Sequence, residues 1–590
     1  MLSPTPLRSG APVRPLALAL AVLLLAAPAG AGAALALKVD VSGVSGELLD
    51  NVMAYLRLAR QQDDPALTEA RLRRLHQAAP DEIKKALEPF GYYHTTVTAS
   101  LKEKKGRWRA RYTIDPGPRM TLATVDVQLS GPGENDPVFQ QTLTTLPLAP
   151  GAPLDHRDYE KSKARLESVA AEHGYFDFRF TRHELRIDRE TNRAAAVLYG
   201  VTGPRYRFGP LRLHQDILEP GLLERLAAFK VGKPYSTTAL LELQSTLLDS
   251  DYFANVDIQP RRADAAGERI PIDVTLTPRP RHRYSAGLGY GTDTGPRGRL
   301  GYENRRVNRQ GHRFNAAYEA SAIRNSLILR YSWPIRDPRT DEIALSSRWL
   351  DDHPDTSTSE SYALDLSRTV SRGNKWLETA HLTYQSENYT VGGSQGDSVL
   401  LIPGIGWSKI KADRRIHPRR GWRLLFDVRG AHDAVLSDTR FLQLRGQAKF
   451  IRPLLGPDRL LLRGEAGWTR HAGRNALPAS VRFFTGGDQS VRGFAYNSLS
   501  PKDASGRATG GEQMLVGSVE YEVDLAPKWA LATFFDTGNA MDNWQASLKK
   551  SVGIGLRWRS PIGPVRLDIA WAVSEPNAPQ RLHLNMGPDL

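Results

Sequence analysis

Residues 552–573 carry Val552-Gly553-Ile554-Gly555-Leu556-Arg557-Trp558-Arg559 and, past a proline-containing turn, Val565-Arg566-Leu567-Asp568-Ile569-Ala570-Trp571-Ala572-Val573. In both runs one parity is apolar and the other is glycine, alanine or charged. A period of two marks a strand with two unlike faces. Trp422, Leu424, Phe426 and Val428 repeat the pattern, with Arg423, Asp427 and Arg429 on the other parity. A soluble sandwich would turn the apolar parity toward a second sheet, but no partner sheet or covering helix follows in the sequence. Strands apolar outside and polar inside, separated by turns, describe a transmembrane barrel, because lipid tolerates no open sheet edge. Sixteen such segments run from Tyr284 to Arg581–Met586. The region leaves roughly 19 residues for each strand with its connection, enough for strands of about 9–11 residues. An antiparallel 16-stranded β-barrel is therefore expected over residues 280–590.

Upstream the pattern changes to repeats. Gly91-Tyr92-Tyr93, Gly174-Tyr175-Phe176 and Asp251-Tyr252-Phe253 each follow an amphipathic stretch and precede a strand-like run. Gly117-Pro118-Arg119 is echoed by Gly203-Pro204-Arg205, and Gly151-Ala152-Pro153 by Gly232-Lys233-Pro234. In the second repeat Tyr159, Leu166 and Val169 sit at helical spacing, Gly174 suits a left-handed cap, and Phe176, Phe178 and Phe180 alternate as in a strand. One helical face and one sheet face suffice for a small α+β unit. Three units in the order strand, helix, helix, strand, strand are expected at 35–118, 119–204 and 205–279. A rod of inert spacers is the plainer alternative.

The N-terminus reads as an export address. Arg8 and Arg14 precede an apolar core, Leu16 to Ala27, and a small-residue run to Ala34. The core is short for a span, which takes about 20 residues. Residues 1–34 are expected to be a signal peptide, cleaved between Ala31 and Ala36. The chain of 590 residues has no cysteine, which excludes disulfide frameworks, thiolate metal sites and cysteine nucleophiles. Its net charge of +15 is spread along the chain rather than gathered in a stripe with interleaved aromatics, so no nucleic-acid partner is expected. The zinc-protease H-E-x-x-H and the phosphate-loop G-x-x-x-x-G-K-[ST] are absent, and no enzyme, cofactor or metal is expected.

Arg482-Phe483-Phe484-Thr485-Gly486-Gly487-Asp488-Gln489-Ser490-Val491-Arg492-Gly493-Phe494 lies in a long connection between the eleventh and twelfth strands. On the twelfth, Leu515, Val519, Tyr521 and Val523 share the outward parity, which leaves Ser518, Glu520 and Glu522 in the lumen. On the thirteenth, Leu531 and Phe535 face out, and Phe534, Asp536 and Gly538 face in. A loop folded inward over 480–510 would let Arg492 meet Glu520 and Asp536 with bidentate hydrogen bonds, for which lysine is a poor substitute. Gly493 would permit a tight turn, Gly538 would leave room beside the arginine, and Phe494 would wedge against the wall.

Val491-Arg492-Gly493-Phe494, then Gly517-Ser518-Val519-Glu520-Tyr521, then Phe534-Phe535-Asp536-Thr537-Gly538 resemble the signatures of the outer-membrane assembly factors that join POTRA domains to a sixteen-stranded barrel, the BamA-like superfamily. Within it, the three upstream units, the run Arg482 to Pro501 and the terminal Gly587-Pro588-Asp589-Leu590 are similar to the TamA branch, the outer-membrane subunits of translocation and assembly modules. Leu590 departs from the terminal phenylalanine common on bacterial barrels.

The resemblance implies a Gram-negative outer membrane, POTRA domains in the periplasm, and insertion of autotransporter-type and other β-barrel clients. It also implies a large inner-membrane-anchored, periplasm-spanning partner bound through the POTRA domains, with unfolded outer-membrane proteins and outer-membrane lipids as further partners. In the first strand Gly287, Gly289 and Gly291 alternate, and the last, with Leu582, Leu584 and Met586, is short. Glycine strands hold register weakly, so the join between them is the expected lateral seam, with Gly289 opposite Leu584. The same glycines would equally serve to make lumenal space for the inward loop. A two-partner-secretion transporter, a passive porin and a lipid-transport component are the alternatives.

Overall fold

The computed structural model describes residues 35–227, 229–414, 417–472, 477–560 and 563–586. The expected signal peptide, 1–34, and the terminal Gly587-Pro588-Asp589-Leu590 lie outside the described residues. Two compact bodies divide the chain, one ending at Arg205 and the other beginning at Tyr206.

The first body holds two α+β units. β1 (Ala36–Ser42), α1 (Glu47–Tyr55), α2 (Arg57–Arg60), α3 (Glu69–Leu87), β2 (Thr96–Lys104) and β3 (Arg107–Asp115) form the first, with one short helix more than the repeat pattern predicts. β4 (Thr121–Ser130), α4 (Pro137–Leu143), α5 (His156–Glu172), β5 (Arg179–Asp188) and β6 (Arg193–Val201) form the second. In both sheets the last strand is central, parallel to the first and antiparallel to the other, so each unit keeps two open edges. Tyr159, Leu166 and Val169 are buried along α5 against Leu122, Ala196 and Leu198, which is how the helical stripe finds its sheet. Gly91 and Gly174 both take φ of +85°. β5 begins at Arg179, so Phe176 and Phe178 precede it rather than alternating within it. The Phe178 ring packs on Phe139 instead. Arg205 returns to the second unit, bonding the His173 carbonyl and the Asp136 carboxylate.

The second body joins the third unit to the barrel. β7 (Arg207–His214), α6 (Pro220–Leu226), α7 (Thr237–Asp249), β8 (Phe253–Pro260) and β9 (Arg269–Pro278) repeat the topology. Asp251 stands where the other repeats have glycine, at φ +64°, and binds Arg279 at 2.8 Å and Arg305 at 2.7 Å. Aspartate is among the few side chains that tolerate this backbone region.

Sixteen antiparallel strands follow in simple chain order. The first eight are β10 (His282–Gly291), β11 (Gly295–Asn304), β12 (Arg313–Ser321), β13 (Arg324–Pro334), β14 (Asp341–Asp352), β15 (Ser357–Arg372), β16 (Trp376–Val391) and β17 (Ser394–Ala412). The rest are β18 (Gly421–Ala431), β19 (Phe441–Pro453), β20 (Arg459–His471), β21 (Gln513–Ala526), β22 (Trp529–Met541), β23 (Lys549–Ser560), β24 (Gly563–Trp571) and β25 (Gln580–Met586). Outward residues such as Leu531 and Phe535 are exposed, whereas Phe534 and Asp536 on the opposite parity are buried. This is the reverse of a soluble core and what a lipid-facing wall requires.

The third unit grips the turn between β11 and β12. Tyr252 donates its hydroxyl to the Gly311 carbonyl at 2.5 Å, Arg313 lies over the Tyr252 ring and bonds the Ser250 carbonyl, and the Glu219 amide bonds the Arg309 carbonyl at 2.8 Å. A Cβ on Gly311, whose φ is +79°, would stand 2.7 Å from Leu222 Cδ2 and 2.8 Å from Tyr252 Oη. Gly311→Ala is expected to weaken this junction by about 1–3 kcal/mol, through strain and collision together. Amide exchange at residues 250–253 and 309–313 should accelerate while the mid-barrel strands stay protected.

Candidate functional site

The connection between β20 and β21 folds back into the barrel. Its two limbs pair with each other at Phe483–Gly511 and Thr485–Leu499, and left-handed glycines at 486, 487, 493 and 510 let it double back. Val491 and Phe494 pack with Phe483, Leu499, Met514, Val516 and Ala540, so the tip is fixed by apolar contact as well as by charge.

Arg492 sits at the centre and is buried. Its Nε and Nη2 donate to the two oxygens of Asp536 at 2.7 and 2.9 Å, and its backbone amide donates to the same carboxylate at 3.1 Å. Nη1 donates to Glu520 at 2.6 Å and to Asp568 at 3.1 Å. The guanidinium lies 3.4 Å from the centre of the Phe534 ring, and Ser518 donates to Asp536 at 2.6 Å. A second buried arginine completes the cluster, for Arg557 binds Glu520 at 2.8 Å and Asp568 at 2.5 Å. Arg463 reaches the loop from β20, donating to the carbonyls of Gln489 and Ser490. The cluster thus sets three carboxylates against three guanidinium groups, which meets the condition for keeping charge away from water.

Strand register explains the meeting. Ser518 pairs with Asp536 and Glu520 with Phe534 across β21 and β22, while Gly553 and Gly555 of β23 pair with Phe534 and Asp568. A Cβ on Gly553 would strike the Phe534 ring at 2.1 Å, and one on Gly555 would strike Asp568 Oδ1 at 1.8 Å. The inward glycines of β23 are a floor over which groups from β22 and β24 reach each other. Asp568, Arg557, Gly553 and Gly555 are the members missed in the sequence, although all four occupy its polar parity.

Two of the expected supports act elsewhere. A Cβ on Gly538 would meet Leu515 O at 2.7 Å and Val516 Cα at 3.0 Å, so Gly538 makes room for the neighbouring strand and not for Arg492. Gly517 shares the outward parity and lies off the site, with a Thr537 methyl 3.6 Å from where its Cβ would be. The loop has a further root unseen in the sequence. Buried Glu387 of β16 accepts from the Ser480 amide at 3.1 Å and from Ser359 at 2.8 Å, and Gln443 of β19 donates to the Val481 carbonyl at 2.8 Å. Gly392-Gly393-Ser394-Gln395-Gly396 has the G-x-S-x-G spacing of a hydrolase elbow, which the sequence reading overlooked. It forms the hairpin between β16 and β17, without the helix such an elbow needs.

At the join of first and last strands the ladder stops. Among the described residues the main-chain link is one bond, from the Thr292 amide to the Leu584 carbonyl at 3.2 Å, with Leu584 N–H returning to Thr292 Oγ1 at 3.2 Å. Leu584 therefore stands opposite Thr292 and not Gly289. A Cβ on Gly289 would be 2.9 Å from Arg297 Nε, and Arg297 passes there to donate to the Met586 carbonyl at 2.6 Å. The clearance at Gly289 serves this arginine and not the inward loop. Gly291 alone of the three borders the loop, for a Cβ there would stand 3.8 Å from Asp488 Oδ2 and from Leu584 O. Gly287 has open space around it, and Leu582 is exposed on the outer face.

Residues 282–589, more than half of the chain, match the Omp85 superfamily domain. The chain belongs to the Omp85 superfamily. Residues 38–116 match the first POTRA domain of TamA, so the Omp85 barrel lies in the outer membrane with its POTRA units in the periplasm. It is similar to the outer membrane protein assembly factor BamA of Nitratidesulfovibrio vulgaris, 35% identical over 147 residues, 22% of this chain and 19% of that one. It is also similar to BamA of Neorickettsia risticii, 22% identical over 381 residues, 58% of this chain and 49% of that one. The chain spans less than half the length of either curated relative. The crystal structure of BamA from Haemophilus ducreyi lacking POTRA domains 1–3 shares the fold, with a TM-score of 0.66 at 15% identity, covering 79% of this chain and 98% of that one.

Arg492→Ala would strip Asp536 of its bidentate partner and leave Glu520 and Asp568 to Arg557. The expected loss is about 3–5 kcal/mol of loop docking, since removing one partner strands the others in a water-poor site. Arg492→Lys should recover little of it, because an ammonium offers no planar fork. Thermal unfolding in detergent and protease cleavage within 482–510 report both.

Proposed function

We propose that this Omp85 protein inserts β-barrel clients, autotransporter-type proteins among them, into the outer membrane through the seam between β10 and β25. The observation that carries this reading is the contrast in pairing. β24 and β25 are joined over seven residue pairs and β16 and β17 over fifteen, whereas one main-chain bond, from Thr292 just past β10 to Leu584, links the first and last strands among the described residues. An edge in lipid leaves each bare amide or carbonyl at a cost of several kcal/mol. A client strand added to β10 would supply those partners as it leaves the lumen. The curated relatives bear the name of outer membrane protein assembly factor, which agrees with this use.

The periplasmic units supply the other half of the reading. Their open sheet edges suit β-augmentation by an extended client or by an inner-membrane-anchored, periplasm-spanning partner. The resemblance of residues 38–116 to the first TamA POTRA domain supports the second.

The test is a lock. Cysteines at Thr292 and Leu584, the residues that face each other, should form a disulfide in an otherwise cysteine-free chain. Oxidised protein should keep its folded-barrel gel mobility and lose client insertion into proteoliposomes, and reductant should restore it. Undiminished insertion by the locked protein would overturn the seam reading.

A further inference from the structure

The seam carries more than its single backbone bond. Three side chains from three separate elements converge at its end: Asp293 in the turn after β10, Asp488 in the inward loop, and His583 on β25. Asp293 Oδ2 accepts the Asp488 amide at 2.6 Å. Asp488 Oδ1 lies 2.6 Å from His583 Nδ1 and accepts Thr292 Oγ1 at 3.1 Å. His583 Nε2 accepts the amide of Gly493 at 2.9 Å, immediately beside Arg492.

This last bond fixes the proton. An amide N–H points at Nε2, so that nitrogen presents its lone pair, and the ring hydrogen sits on Nδ1, donated to Asp488. A neutral imidazole is thereby held at both nitrogens by one loop, while its strand is the last of the barrel. His583 is almost fully buried and lies across the ladder from Asp568, one of the Arg492 carboxylates. The fit is cut into the backbone as well. A Cβ on Gly487 would stand 2.4 Å from Asp293 Oδ2, and Gly487 takes φ of +101°.

We propose that Asp488 and His583 form a seam latch that clamps the last strand, through the loop tip, to the turn that follows the first strand. It rests on the seam reading of function, and it assigns the loop a task beyond holding Arg492. His583 and Asp488 are positioning residues. Asp293 plays the opposing part. Burial, and after it the Asp488 carboxylate, push its carboxyl up to about 6, so at neutral pH two like charges face each other across the clamp. Asp293 thus holds the latch short of its full strength.

The full chain has no cysteine, so spin labels at Tyr290 and Leu582, exposed on the outer faces of the first and last strands, report seam width directly in nanodiscs. His583→Ala and Asp488→Ala should each raise the ratio of wide to narrow label distances about tenfold, the size of one charge-assisted hydrogen bond. His583→Asn, whose amide nitrogen falls at the place of Nδ1, should restore the narrow distribution. Asp293→Asn, which keeps the acceptor for the Asp488 amide and removes the repulsion, should narrow it beyond the parent.

An unchanged distribution in His583→Ala overturns the latch. So does a His583→Asn protein as wide as the alanine variant, since that outcome is loss of packing alone. If the alanine variants do not fold, as judged by gel mobility, the asparagine variants decide, and an Asp293→Asn protein no narrower than the parent overturns the proposal. Latch variants that widen the seam yet insert clients at the parental rate would establish the latch and overturn the seam reading of function. The two failures are distinct.

Discussion

A guanidinium without water must be answered by carboxylates, and this constraint organises the lumen. Arg492 is bound by Asp536, Glu520 and Asp568, which come from β22, β21 and β24. Each carboxylate is held at its height by a backbone ladder, so the arginine has one place where all three are in reach. Taking any of them away leaves an uncompensated charge in a buried site, a far larger cost than losing a surface pair. The loop is thus positioned by the registers of four strands, and those strands are in turn held in their mutual heights by the loop.

Much of this was legible in the sequence because strand parity is nearly binary. Knowing that Leu531 and Phe535 face lipid fixes Phe534 and Asp536 in the lumen, and the same holds for Glu520 between Val519 and Tyr521. Height along the barrel is another matter. Parity names the face of Asp568, but whether it stands level with Arg492 depends on the register of each hairpin from β21 to β24. The same accumulation over all sixteen strands is why Gly289 was placed opposite Leu584, when closure puts Thr292 there. The glycine floor at Gly553 and Gly555 shows the converse. Parity alone assigns Gly553 and Gly555 no role, and only the ring and carboxylate above them explain their size.

The repeats were legible for a different reason, since each unit repeats its own solution to one packing problem. The turn after the last helix of each unit takes a left-handed residue, glycine at 91 and 174. In the third unit that residue is Asp251, and the substitution has a use. Its carboxylate ties Arg279, in the link to the barrel, to Arg305, in the turn after β11. A position that elsewhere needs only backbone freedom has become a junction, which no periodicity could reveal.

These attachments place unlike bonds at the two ends of β10. Near its start, Arg305 donates its amide to the Arg281 carbonyl at 2.9 Å and its side chain to the Pro280 carbonyl at 3.1 Å, and the same turn carries Gly311 against Tyr252. Near its far end, Thr292 meets Leu584 and Asp488. Between the two lies the alternation of Gly287, Gly289 and Gly291, a pattern that holds strand register weakly. β10 is thus held near its base through the turn that the third unit grips and at its tip by the loop. Displacement of the third unit acts on the hairpin that begins the barrel, and displacement of the loop acts on the strand that ends it. Opening of the proposed seam would break none of the fifteen ladders, only the bonds by which Thr292, Arg297 and the loop's Asp488 join its two sides.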